Sequence, residues 1–131
     1  MAERQLAGRS ILILEDEFLI AMDVEQTCLD WGADKVTIVR ALDQLGEDPF
    51  RQHEFDSAIL DLRLGGSSTV DFAHRLHARG IPFVFATGMS EHNEIATGFP
   101  GVAIVSKPYS GEELLQSLIA AIESGELSRS A

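Results

Sequence analysis

The sequence predicts an α/β fold: a doubly wound, five-stranded parallel sheet with helices on both faces. Three observations predict it. Five short apolar runs recur, at 11–14, 36–39, 57–60, 83–86 and 102–105. They are apolar almost throughout and do not alternate, as strands buried on both faces require. Segments of helical spacing or turn residues separate them, and that alternation feeds parallel crossovers.

The elements follow in order. The first strand, Ile11-Leu12-Ile13-Leu14, stops at Glu15-Asp16-Glu17. A helix over 17–31 places Ile20, Val24, Cys28 and Trp31 on one stripe and ends at Gly32. After the second strand, a weaker helix starts near Leu42, with Leu45 inward and Gly46 and Pro49 limiting it. The third strand ends at Asp61. A loop, Arg63-Leu64-Gly65-Gly66-Ser67, leads to a helix over 69–79 with Ser68 as N-cap and Gly80 beyond its end. The fourth strand is followed by 90–99, where 91–96 can form a turn or two of helix. After the fifth strand, Ser110-Gly111-Glu112-Glu113 is a capping box opening a helix whose inner face is Leu114, Leu115, Leu118, Ile119 and Ile122.

The whole is 131 residues, which suits one domain, with 45% hydrophobic and 24% charged residues, a soluble globular composition. Residues 1–9 and 125–131 read as flexible ends around a domain at 10–124, with no effector domain attached. Ten basic against 21 acidic residues leave a net charge of −11. That disfavours direct nucleic-acid binding, which needs a basic footprint, and docking on an anionic membrane. No apolar run approaches a membrane span or a secretory signal. The single cysteine, Cys28, cannot form an internal disulfide, so a reduced, cytoplasmic protein is expected.

Ligands of such sheets bind at the carboxyl ends of the strands. Glu15 and Asp16 follow the first strand, Asp61 ends the third, Thr87 follows the fourth, and Lys107 and Pro108 follow the fifth. In the strand order 2-1-3-4-5 these residues converge. Three carboxylates together repel unless a cation joins them, and an all-oxygen set suits Mg²⁺. Acids, metal, hydroxyl and ammonium make a site for phosphoryl transfer to a carboxylate.

Ile11-Leu12-Ile13-Leu14-Glu15-Asp16-Glu17, Asp61-Leu62-Arg63-Leu64, Ala86-Thr87-Gly88 and Ser106-Lys107-Pro108-Tyr109 resemble the signature blocks of the receiver domain of two-component response regulators. The resemblance covers about 10–124 and implies a flavodoxin-like sheet. It implies that Asp61 is the phosphoacceptor, and that Glu15, Asp16, Asp61 and the backbone carbonyl of Arg63 hold Mg²⁺. It further implies that Thr87 and Lys107 bind the phosphoryl group and that Lys107-Pro108 is a cis peptide. The donor would be a histidine kinase or phosphotransfer protein. Output would pass through a downstream protein target, or the domain would act as a phosphate shuttle or sink. It would be no enzyme beyond its own phosphorylation and dephosphorylation.

Phe85-Ala86-Thr87-Gly88 is similar to the motif of a stand-alone receiver subfamily, many of whose members serve stress signalling. Two features depart from the wider family. Ile104 occupies a switch position that is usually aromatic, and Gly65-Gly66-Ser67-Ser68 stands where Pro and Met are common. The switch is therefore expected in the segment 88–101, between glycines.

Other readings compete. An aspartyl-phosphate phosphatase or phosphotransferase on a similar sheet usually carries an acid two residues after its nucleophile, where this chain has Arg63. A flavin module would need a phosphate loop where Glu15-Asp16-Glu17 stands, and those acids would repel the phosphate. His74, His77 and Asp71 have metal-ligand spacing without an evident fourth ligand and read as a solvated face. Cys28 and Trp31 read as core.

Overall fold

Strand side chains alternate between two apolar layers, and that alternation organises the fold. In the computed structural model, which describes residues 5–88, 98–99, 101–106 and 110–130, the first strand, β1 (Ser10–Leu14), sends Ile11 and Ile13 to one layer and Leu12 and Leu14 to the other. The first layer includes Val24, Cys28, Leu114, Leu115 and Leu118 from two helices; the second includes Leu45, Phe72, Leu76 and Phe99.

The sheet has five parallel strands in the order β2-β1-β3-β6-β7, with β2 (Lys35–Val39), β3 (Ser57–Asp61), β6 (Phe83–Thr87) and β7 (Ile104–Ser106). The remaining two strands, β4 (Arg63–Leu64) and β5 (Ser67–Ser68), form a small antiparallel hairpin outside it. With the hairpin set aside, this is the expected order 2-1-3-4-5 and a flavodoxin-like sheet. All five residues of β3 and of β6 are buried. No helix among the described residues is long and apolar enough to cross a membrane.

Two helices end as their glycines predict. Helix α1 (Phe18–Asp30) closes with Gly32 N–H donating to Leu29 O and Ala33 N–H to Cys28 O, a Schellman pair. Helix α3 (Val70–Ala78) repeats it, with Gly80 N–H to His77 O and Ile81 N–H to Leu76 O. The last helix, α4 (Gly111–Ser130), starts where Ser110 Oγ accepts Glu113 N–H at 3.0 Å, one half of the expected capping box.

Four local expectations are corrected. The weak second helix is a 3-10 turn at Leu42–Leu45 followed by a four-residue helix, α2 (Pro49–Gln52). Gly46, with φ of 78°, stops the first piece, and Pro49 can only open the second. The loop after Asp61 folds as the β4-β5 hairpin: Gly65 and Gly66 take φ of 58° and 88°, the two consecutive left-handed positions that a tight hairpin turn needs. Thr69, not Ser68, is the N-cap of α3, although Ser68 Oγ accepts Val70 N–H at 3.1 Å. The fifth strand starts at Ile104, because Val102 N–H is spent in a turn with Phe99 O.

The chain ahead of β1 touches the core. Leu6 is fully buried, its N–H bonds to Trp31 O at 2.8 Å, and Ala7 bridges Ala33. At the carboxyl end, α4 continues to Ser130. The short helix expected at 91–96 lies outside the described residues.

Cys28 sits in the first layer, and its thiol is pushed up from 9.0 to about 12, first by burial and then by the charge of Glu25. The folded state therefore favours the neutral thiol, and the unfolded chain loses that proton first as pH rises above 9.0. The thiol's contribution to stability is thus complete below about pH 9 and declines as pH rises toward 12. Alkylation at pH 8 is expected to be slow in the native protein and fast in denaturant; equal rates would contradict this burial. Leu6→Ala is expected to lower unfolding free energy by about 2–5 kcal/mol in a denaturant titration, the cost of a buried leucine. A loose terminus would give no change.

Candidate functional site

Because β1, β3 and β6 are sealed on both faces, their acidic side chains emerge at their carboxyl ends. Leu14 pairs with Leu60 and Asp61 with Ala86, so Glu15, Asp61 and Thr87 come out at neighbouring positions along one edge. Glu15 and Asp61 are buried, and Asp16 is half-buried. One carboxylate oxygen from each of the three lies within 4.8 Å of the other two.

Two ionised carboxylates at that separation repel by about 3–4 kcal/mol at an effective dielectric near 20. A divalent cation removes the repulsion. The donors are all oxygen and partly buried, a set that suits a hard ion such as Mg²⁺. Glu15, Asp16 and Asp61 are therefore fitted to hold such an ion. Among the described residues they are the group of His, Cys, Asp and Glu side chains so arranged. His74 and His77 instead flank the ring of Phe99, with centroids at 4.5 Å and 6.4 Å.

Backbone donors orient the acids. Glu17 N–H donates to Glu15 Oε2 at 3.1 Å, and Gly65 N–H donates to Asp16 Oδ2 at 3.0 Å. Arg63 N–H reaches Asp61 Oδ1 at 3.4 Å, a long bond. The Asp16 carbonyl accepts from Arg40 Nη2 at 3.2 Å, and the Arg40 guanidinium stands 5.5 Å over the Phe18 ring.

Thr87, at the end of β6, is 1% exposed, and among the described residues its Oγ1 is the buried side-chain polar atom that has no hydrogen-bond partner. A buried hydroxyl left without a partner costs roughly 1–3 kcal/mol, so this donor is available to an atom that enters the site. Ile104 pairs with Phe85 in the sheet and packs, half-buried, against the second layer.

Glu15, Asp16, Asp61, Arg63 and Thr87 thus stand together at the strand ends. Lys107 and Pro108, following Ser106 at the end of β7, lie outside the described residues, as do Tyr109 and most of the 88–101 segment. Its far end is described: Phe99 is buried against Phe83 and Phe85.

Three contributors went unseen in the sequence: Arg40, Gly65 and Thr69. Gly65-Gly66 was a legible signal, since a two-glycine pair between short extended pieces marks a hairpin. Arg40 and Thr69 have no such signature, because they act on backbone carbonyls that only the fold brings near. A larger groove, about 800 Å³, opens beside Pro82 and Phe83 at the opposite end of β6, away from the acids.

No protein-family model matches the chain, and no curated protein matches it. Solved structures do. The response regulator PhyR from Brucella abortus is 30% identical, with a TM-score of 0.78, over 98% of this chain and 53% of that one. A mutant of the anti-anti-sigma factor PhyR from Bartonella quintana is 26% identical, with a TM-score of 0.73, over 99% of this chain and 53% of that one. This chain therefore spans about half the length of either PhyR. A CheY-like response regulator receiver domain protein from Methanospirillum hungatei is 20% identical, with a TM-score of 0.72, over 92% of this chain and 98% of that one. Strand order, the acidic trio at the strand ends and these neighbours agree: the chain has the fold of a response regulator receiver domain.

Proposed function

We propose that this receiver accepts a phosphoryl group on Asp61 from a histidine kinase or phosphotransfer protein, with Mg²⁺ bound, and signals in the cytoplasm through protein contacts. One observation carries the reading: a trio of acids within 4.8 Å stands beside the strand end where a buried threonine hydroxyl has no partner. A nucleophile, a cation cradle and a donor for a bound anion are what transfer to a carboxylate needs.

Asp61 is the nucleophile. One of its carboxylate oxygens forms the new O–P bond while the P–N bond to the donor's imidazole breaks, and the electron pair leaves with the nitrogen. Glu15, Asp16, Asp61 and the Arg63 carbonyl would hold the ion. When bound, Mg²⁺ offsets negative charge between the acids and the incoming phosphoryl oxygens. Thr87 donates its hydroxyl proton to a phosphoryl oxygen. Lys107, outside the described residues, is assigned the ammonium that offsets the charge of the phosphoryl group. Water later attacks the acyl phosphate and restores the carboxylate.

Arg63 speaks against the phosphatase alternative, because such enzymes carry an acid two residues past the nucleophile. Output by protein contact, phosphate shuttling or a sink role is supported by the net charge of −11, which disfavours nucleic acid, and by an anti-anti-sigma factor among the structural neighbours.

Incubation with Mg²⁺ and a small phosphodonor such as acetyl phosphate is expected to give an acid-stable, base-labile adduct that mass spectrometry maps to Asp61. Asp61→Asn or chelation should abolish it. No adduct from either a small donor or a cognate kinase would refute the reading. Thr87→Val should raise unfolding free energy by about 1 kcal/mol, since it removes a buried hydroxyl that has no partner. The same variant should slow adduct formation about tenfold. Loss of stability with unchanged adduct formation would mean that the hydroxyl serves the fold alone.

A further inference from the structure

We infer that Thr69 is a positioning residue for Asp61, and that the hairpin it closes ties the nucleophile to Asp16. The inference rests on the phosphoacceptor reading above. Thr69 is fully buried, and its Oγ1 donates at 2.7 Å to the carbonyl oxygen of Asp61. The same oxygen lies 3.1 Å from Leu62 O; a hydroxyl has one proton, so the bond is shared, with its shorter leg on Asp61. Thr69 N–H also donates to Leu62 O at 2.8 Å, and Thr69 O accepts Ala73 N–H at 3.0 Å. One residue thus joins the first turn of α3 to the peptide that carries the nucleophile.

Thr69 occupies the N-cap position of α3 yet makes no side-chain capping bond. A capping threonine accepts from an N–H of the first turn. Here Ser68 Oγ accepts Val70 N–H instead, and the Thr69 hydroxyl is turned away from the helix onto the Asp61 backbone. Helix service has passed to Ser68, and that breach of a local rule marks a residue committed to the site.

The hairpin between them completes the link. β4 and β5 leave Leu62 and return to Thr69, and the tip amide of Gly65 donates to Asp16 Oδ2 at 3.0 Å. The arch is therefore pinned at its base on the backbone of the nucleophile and at its tip on an acid of the ion cradle. A shift at the base moves both carboxylates, and displacement on the scale of 1 Å can cost about a hundredfold in rate.

The test compares wild type with Thr69→Val, Thr69→Ser and Ser68→Ala. Folding is followed by near-UV circular dichroism, Mg²⁺ affinity by calorimetry without phosphodonor, and adduct formation with acetyl phosphate. Thr69→Val is expected to weaken Mg²⁺ binding about fivefold or more and slow adduct formation about tenfold. Thr69→Ser should stay within about twofold of wild type. Ser68→Ala should lower stability while leaving Mg²⁺ affinity unchanged. If Thr69→Val does not fold, Thr69→Ala against Thr69→Ser makes the same comparison. Folded Thr69→Val or Thr69→Ala with wild-type Mg²⁺ affinity would overturn the inference, as would failure of Thr69→Ser to restore it. Wild type that binds Mg²⁺ but forms no adduct would instead overturn the phosphoacceptor reading.

Discussion

The two-sided burial of the central strands is the constraint on which the rest of this domain depends. β1, β3 and β6 are covered by apolar layers above and below, so neither face of the sheet can hold a charge. Polar side chains are confined to the strand ends. The parallel register then sets Glu15, Asp61 and Thr87 at one edge, where the chain can reach water and a ligand. A charged pocket at the carboxyl edge follows directly from an apolar core with two faces.

Such a pocket carries a cost that the surrounding backbone offsets. Three carboxylates within 4.8 Å repel one another, and amides of Glu17 and Gly65 each donate to one of them. These two donors come from the turn into α1 and the hairpin after β3, while Arg40, just past β2, donates to the backbone carbonyl of Asp16. The site is held by loops but aimed by strands. On the proposed phosphoacceptor reading, that division fixes the nucleophile while the contacts around it respond to an added phosphoryl group.

The hairpin gives this receiver an individual character. Gly65-Gly66-Ser67-Ser68 departs from what is common in the family, and it folds as a tight turn whose tip touches Asp16. Ile104 departs as well, packing against the second apolar layer where an aromatic ring is usual. Phe99, at the far end of the 88–101 segment, is seated among Phe83, Phe85 and His74. The aromatic packing on this face of β6 is thus supplied from β6 itself and residue 99, while β7 contributes Ile104.

Much of this was written in the sequence. Apolar runs over 11–14, 57–60 and 83–86 determined the sheet, because continuous hydrophobicity of that length has no other stable use beside helical segments. Gly32 and Gly80 determined where α1 and α3 stop. Acids placed directly after strands one and three determined the candidate site, since strand ends are where such a sheet can expose charge. Tertiary structure decided what depends on contacts between distant residues. Leu6 is polar in its neighbours and reads as loose, but the Trp31 carbonyl captures its N–H and the core takes its side chain. Thr69 reads as the start of a helix, but its hydroxyl finds the carbonyl of Asp61, eight residues earlier. Local pattern records burial and turn chemistry; the partner of a backbone carbonyl is chosen only when the folded chain brings a donor to it.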